Sequence, residues 1–395
     1  MTSRSPRHQL HNINMKKVAI IGRGTAGTLA YLKMLELRNI DRSSLSIDWY
    51  YDSATNAMAV GEGTTPNFPT SLASVSGLSV STDMHKLDAR PKMGIEYENW
   101  GKSDFTHPFN MGSHGIHFNA AKFQQHVFKN CTDETDVSLI DANVSHDNID
   151  SDVIIDCTGA PKTFEDYDIP KYIPVNAVHV TQCSWPNGPK GLYTKTIARP
   201  WGWVFVIPLL TRCSVGYLYN HNITTLEQVK ADVENVFDQL GVEPTETTNS
   251  FHFNNYVRKK LIDGRVAYAG NSGFFLEPME ATTLDCVFKV LRCVGRNPLQ
   301  EIWNNYLNVV FKEVEYFIML HYAAGSKWNN EFWDFATERG RLAMEEAMSH
   351  PFFNDLYTHG KPLEDSGYDP YFGKESYKLN QEGLGLKPDF AIAAE

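Results

Sequence analysis

The clearest chemical capacity in this sequence lies in the segment Lys17 to Leu29, KVAIIGRGTAGTL. Its Gly22-x-Gly24-x-x-Gly27 spacing is the phosphate-binding fingerprint of a dinucleotide site. Gly22 permits a tight turn, Gly24 lets the backbone approach a pyrophosphate, and Gly27 lets helix and strand pack closely. Thr25 and Ala26 complete the loop, whose N–H groups at a helix N-terminus attract phosphate charge. Asp52, at the end of the next apolar run, stands where an acidic residue hydrogen-bonds an adenosine ribose. Further along are other side chains able to do chemistry: Lys92 at a strand entrance, His107 and Phe109 on a rigid His-Pro-Phe turn, and Glu277 and Glu280 around Pro278-Met279. Taken alone these have ordinary readings, a strand-end lysine being most often solvated.

The elements that must position these groups follow from pattern. Val18 to Ile21 read as a buried parallel strand and Thr28 to Leu37 as a helix. Leu45 to Tyr51 is a second strand, with Asn39 to Ser44 as a long loop before it. Val60 to Pro66, with Gly63 and Thr64, is too rich in Gly, Thr and Pro for a regular element and reads as a loop able to lie along a cofactor. Ile95, Tyr97 and Asn99 alternate with acids as in a half-buried strand. Asn119 to Lys129 is a short helix, Val137 to Asp150 holds a small crossover strand, and Asp152 to Asp156 is a buried strand ending at Gly159. Val175 to Leu192 and Thr194 to Tyr219 predict an antiparallel sheet, in which Trp203, Phe205 and Ile207 share a face. Thr224 to Leu240 is an amphipathic helix, with Thr224 and Glu227 as a capping box and Gly241 as its C-cap. Val266 to Ala269 is a strand leading into Gly270-Asn271, and helices follow over Thr283 to Gly295 and Leu299 to Tyr322.

The fold class is therefore α/β: a Rossmann-like parallel sheet from strands near 18, 47, 153 and 266, with an inserted antiparallel β-sheet and helices after it. The expected organisation is a flexible tail over 1–15 and one unit over 16–340. Within that unit the FAD module takes about 16–75, 110–160 and 260–295, and the β-rich insert about 170–258. Loops and short helices fill 341–395.

Composition narrows the function. The chain has 395 residues, 42% hydrophobic and 21% charged, with a net charge of −11. That balance offers nucleic acid no basic face. The six cysteines lack metal-site spacing and read as reduced thiols in a cytoplasmic protein. The polar N-terminus has no signal-peptide core, and no apolar run is long enough to span a membrane. A second GxGxxG at a strand–helix junction is absent, which favours FAD over NAD and electrons delivered from outside.

Several stretches, in order, resemble the flavin-dependent halogenases of the tryptophan-halogenase type: GRGTAGT at the fingerprint, GEGTTP (61–66), DCTG (156–159), GWVFVIP (202–208), GYLY (216–219), AGNSGFFLEPMEAT (269–282) and LHY with FW (320–333). The resemblance covers roughly residues 16–335 and implies an FAD-binding, Rossmann-like sheet of the glutathione-reductase/hydroxylase type with a helical substrate module, and FAD reduced by a separate flavin reductase, together with O2 and a halide: chloride, bromide or iodide. Hypohalous acid formed at the flavin crosses a tunnel to a small, electron-rich aromatic substrate. By the same resemblance Lys92 holds or captures the halogen oxidant, and Glu280 takes the ring proton or orients the oxidant. Thr282 and Thr283 match the halide-holding segment, and Gly63, Thr64, Gly270 and Asn271 join the fingerprint around FAD. His107 and Phe109 match substrate-stacking residues, Phe205 lies against the substrate, and Trp203 with Phe205 matches the wall between flavin and substrate. The chain differs from the family pattern at Thr28, Phe205, Ala281 and Thr283, and it is shorter after Trp333. Two other readings share the flavin site: an aromatic hydroxylase that needs no halide, and a non-catalytic flavin-binding redox protein.

Overall fold

Val18, Ala19 and Ile20 have no exposed surface, which is why no alternation shows in their strand: both of its faces are covered. In the computed structural model, which describes residues 15–41, 45–55, 61–66, 68, 78, 82–110, 112–130, 132, 136–294, 300–361 and 370–386, Lys17–Ile21 is central to a six-stranded sheet. It pairs in parallel with Ser46–Tyr51 on one side and Val153–Asp156 on the other. Val266–Tyr268 extends the sheet in parallel beyond Val153–Asp156, and Val137–Asp141 does so beyond Ser46–Tyr51. The four strands expected from sequence thus form one sheet. The fingerprint helix runs over Thr25–Asp41. It takes in Asn39 to Asp41, which the sequence reading gave to a loop; residues 42–44 of that loop lie outside the described residues, as do 1–14 of the expected tail.

The inserted sheet has seven strands. In order they are Glu243–His252, Ala177–Ser184, Arg212–Tyr219, Gly202–Pro208, Thr194–Arg199, Gly94–Glu98 and Phe105–Pro108. All pairs are antiparallel except Gly94–Glu98, which lies parallel to Thr194–Arg199 with Ile95 opposite Thr194. The outer strand Glu243–His252 is exposed along nearly its whole length and carries acids, threonines and Pro244, residues that discourage pairing with another chain. Three-residue strands at Gly61–Gly63 and Arg90–Lys92 flank Gly115–Asn119 in a third sheet.

Three local expectations are corrected. Gly61–Gly63 is a strand and not loop, because its backbone pairs with the wholly buried Gly115–Asn119 strand; tertiary pairing overrides composition. His107 lies within the strand Phe105–Pro108 and not on a turn, with Pro108 placed at that strand's end opposite Gly94. The capping box of the helix Leu226–Leu240 is formed by Thr225 and Gln228, one residue later than expected. That helix is tied to the sheet by a buried two-pronged pair, Arg199 Nε to Asp232 Oδ2 at 2.9 Å and Nη2 to Oδ1 at 2.5 Å, which also accepts the Tyr217 hydroxyl.

The helical part is built from Gln300–Ala323 and Glu331–Met348. Gly340 sits so close to the first of these that a Cβ there would lie 2.3 Å from the Ala323 nitrogen. The helix Lys374–Leu384 then returns to cover Phe105, whose ring lies directly over Gly383. The five described cysteines are buried, with Cys183 opposite Cys213 across two strands. Among the described residues no helix is long and apolar enough to cross a membrane.

Candidate active site

The fingerprint loop has the form of a phosphate cradle. A Cβ on Gly27 would lie 2.0 Å from the Gly22 carbonyl oxygen, and one on Gly22 would lie 2.3 Å from that of Cys157, so strand and helix touch there. At Gly24, by contrast, nothing lies within 4 Å of that position. This open space faces the first turn of Thr25–Asp41, where helix N–H groups lack partners within the helix. Gly270 abuts the same loop, 2.5 Å from the Ala26 methyl for an added Cβ, and so brings Asn271 beside it. The residues present fit a dinucleotide pyrophosphate. Asp52 ends the second strand, with its two oxygens accepting from Ala54 N and Thr55 Oγ1 in an exposed turn. The Thr64 hydroxyl is fully buried and accepts from Ile116 N, which locks the loop.

A connection runs from this loop towards Lys92. Gln124 Nε2 donates to Thr25 Oγ1, and Thr25 Oγ1 donates to Glu62 Oε1 at 2.7 Å. Glu62 lines a cavity of about 110 Å³, together with Gly63, Lys92, Thr194, Trp203, Phe205, Ile207, Glu280, Ala281 and Thr283. Burial pushes the Glu62 carboxyl up to about 7, against the Thr25 hydrogen bond. Trp203 and Phe205 form one wall, as their alternation predicted. Trp203 is held by its Nε1 donating to Glu277 Oε2, which also accepts the Tyr322 hydroxyl. Burial raises Glu277 to about 8, opposed by those two hydrogen bonds.

Lys92 is only 1% exposed, contrary to the usual fate of lysine. Its strand pairs with Gly115, and its ammonium lies 5.5 Å from the centroid of the half-buried Phe109 ring. Burial lowers its pKa from 10.5 to about 8, with Glu280 pulling the other way.

Glu280 sits in a strained turn. It and Ala281 have φ of 66° and 53°, left-handed values that cost a non-glycine residue about 1 kcal/mol or more. The turn precedes the helix Thr283–Cys293, so one short segment supplies both the carboxylate and a helix N-terminus to the cavity. Thr282 is buried, and its carbonyl accepts from Cys286 N and the Tyr371 hydroxyl. Glu280 Oε1 accepts from the Tyr97 hydroxyl and lies 3.1 Å from His321 Nε2. His107 Nδ1 is 3.9 Å from Oε2 and 3.4 Å from Asn380 Nδ2. Burial alone would raise the Glu280 pKa; the hydrogen bond and charge of His321, then His107 and Tyr97, outweigh it and hold the group down at about 2.

Of the residues singled out from sequence, Lys92, Glu280, Gly63, Thr283, Trp203 and Phe205 converge on this one cavity. His107 is instead enclosed behind Glu280. Tyr97, His321, Asn380 and Glu62 were not singled out. Glu62 and His321 lie inside motifs already quoted, GEGTTP and LHY, whereas nothing local marks Tyr97 or Asn380.

The site thus combines a dinucleotide-type cradle with a cavity lined by a buried lysine and a carboxylate, the two linked by the hydrogen bond from Thr25 to Glu62. The tryptophan halogenase family model matches residues 17–150 and 142–389, and this chain belongs to that family of flavin-dependent halogenases. It is 22% identical to tryptophan 7-halogenase RebH of Lentzea aerocolonigenes over 487 residues, covering 94% of this chain and 90% of that one. The fold is shared with the tryptophan halogenase of Shewanella frigidimarina (TM-score 0.78, 20% identity, 98% and 93% of the two chains). It is also shared with Xcc4156, a flavin-dependent halogenase from Xanthomonas campestris (TM-score 0.77, 18% identity, 95% and 90%).

Proposed function

We propose that this chain halogenates small, electron-rich aromatic molecules by electrophilic substitution, with hypohalous acid passed through the cavity to Lys92. The observation carrying this reading is that Lys92 and Glu280 line the same cavity as the Trp203–Phe205 wall and the helix N-terminus at Thr283. FAD, supplied in reduced form by a separate reductase, provides the electrons with which O2 and halide become hypohalous acid. Gly22, Gly24, Thr25, Ala26, Gly27, Gly270 and Asn271 would hold it, and Asp52, Gly63 and Thr64 lie along its path.

The protein's own groups then do three things. Backbone N–H groups at Thr282 and Thr283 favour a halide at the cavity mouth. Lys92, buried and easily deprotonated, positions the oxidant by hydrogen bonding or takes the halogen on its amine. Glu280, held as a carboxylate, accepts the proton that leaves the substituted ring. Trp203 and Phe205 exclude water and keep the aromatic substrate from the flavin side, with Phe109 on the substrate side and His107 behind Glu280.

The test is mass spectrometry of an aromatic panel incubated with enzyme, reductase, FAD and each halide in turn. Halogenated products that vanish in Lys92→Ala, with flavin binding retained, are expected. Oxygenated product without halide would overturn the reading in favour of a hydroxylase, and no turnover across the panel in favour of a redox protein.

A further inference from the structure

The enclosure around Glu280 constrains where its protons can sit. His321 lies on the helix Gln300–Ala323 and has no exposed surface. Its Nδ1 is 2.9 Å from the Phe317 carbonyl oxygen. A carbonyl only accepts, so Nδ1 carries a hydrogen. Its Nε2 is 3.1 Å from Glu280 Oε1 and 3.2 Å from the Tyr97 oxygen. Tyr97 has one proton, and it is donated to Glu280 Oε1. A bare Nε2 would therefore press a lone pair against a buried carboxylate oxygen, an arrangement that is costly where the dielectric is low.

We propose that His321 is the positioning residue that serves as charge partner of Glu280, its imidazole protonated on both nitrogens, so that Lys92 is not the counter-ion of that carboxylate. The groups facing Glu280 support this assignment. Tyr97 donates a neutral hydrogen bond. His107 is farther, at 3.9 Å, and is shared with Asn380. Lys92 lines the same cavity without an ion-pair contact to Glu280, whose ion-pair partners among the described residues are the two histidines. Around Lys92 the other ionisable groups are Glu62 on the cavity wall and His117, whose own pKa is lowered well below 6.5 by burial and then by Lys92 and Arg90.

The chemical consequence rests on the halogenase reading. With His321 compensating Glu280, Lys92 is free to exist as a neutral amine, the form that can bond halogen, while Glu280 stays ready to take a proton. The depressed pKa values of both Lys92 and Glu280 agree with this division of labour.

The experiment follows the Glu280 side-chain carbon by NMR in full-length protein labelled at glutamate, without flavin, halide or substrate, so the outcome does not depend on turnover. Glu280 is assigned by the signal lost in Glu280→Gln, and the His321 ring nitrogens are read in the same samples. In the wild type, Glu280 is expected to remain a carboxylate down to about pH 4, with both His321 nitrogens protonated at neutral pH. In His321→Gln, the Glu280 midpoint is expected to rise by about two pH units, about 100-fold in proton affinity, and the Lys92 amine midpoint to rise with it. A protonated Glu280 or a bare Nε2 at neutral pH in the wild type would overturn the proposal, whether or not the variant folds. So would a folded His321→Gln protein with an unchanged Glu280 midpoint. A protein that proves not to halogenate would leave these readings as they stand.

Discussion

Lys92→Met is expected to make this protein more stable while ending its proposed chemistry. Lys92 is buried and titrates at about 8 rather than 10.5. Between those values the unfolded chain binds the proton and the folded chain does not, so stability rises as pH increases through that window. Below about pH 8 both states carry the charge, and the folded state bears the whole burial penalty. A drop of about 2.5 pH units at about 1.4 kcal/mol each gives about 3 kcal/mol. Methionine has a similar length and no charge; allowing about 1 kcal/mol for imperfect packing leaves a gain of about 2 kcal/mol at pH 7. Urea denaturation of both proteins at pH 7 and at pH 10.5 measures it. The difference should favour the variant at pH 7 and fall by about 3 kcal/mol by pH 10.5, where the packing loss of about 1 kcal/mol leaves the wild type slightly the more stable, while halogenated product is absent. A variant less stable than wild type at pH 7, or a difference that does not change with pH, would refute the reasoning.

Two further outcomes follow from the geometry. Gly24→Ala, with open space at its Cβ, should keep the melting temperature within a few degrees of wild type yet weaken FAD binding at least tenfold by flavin fluorescence titration, whereas Gly27→Ala, 2.0 Å from a backbone oxygen, should lower the melting temperature sharply. Asp232→Ala leaves the Arg199 guanidinium buried without its ion-pair partner, and should cost about 3–5 kcal/mol in chemical denaturation.

Four strands of the six-stranded sheet were legible from sequence because each is a short apolar run followed by a turn: the readings Val18 to Ile21, Leu45 to Tyr51, Asp152 to Asp156 and Val266 to Ala269 correspond to Lys17–Ile21, Ser46–Tyr51, Val153–Asp156 and Val266–Tyr268. The inserted sheet was legible from its β-formers, although not the entry of Gly94–Glu98 into it, since partner choice between distant strands leaves no local trace. Gly61–Gly63 was misread as loop for the same reason. The site divides similarly. Lys92 and Glu280 became candidates through resemblance, and by composition alone Lys92 reads as a solvated lysine. Its burial is a property of what surrounds it: the Gly115 strand, Phe109 and the cavity. Tyr97 and Asn380 are far apart in the sequence and join the same polar cluster only through the fold.

The helix Lys374–Leu384, which lies over Phe105 and brings Asn380 to His107, has a consequence for the order in which the protein is made. Every strand of the nucleotide-binding sheet, and Lys92 and Glu280 themselves, leave the ribosome before residue 374. The helix behind the carboxylate follows them. A growing chain that has not yet reached Lys374 therefore already holds every residue of the Gly22–Gly27 cradle while the Phe105–His107 face lacks its cover. The cradle and the enclosure of Glu280 are thus completed at different times, the cradle first.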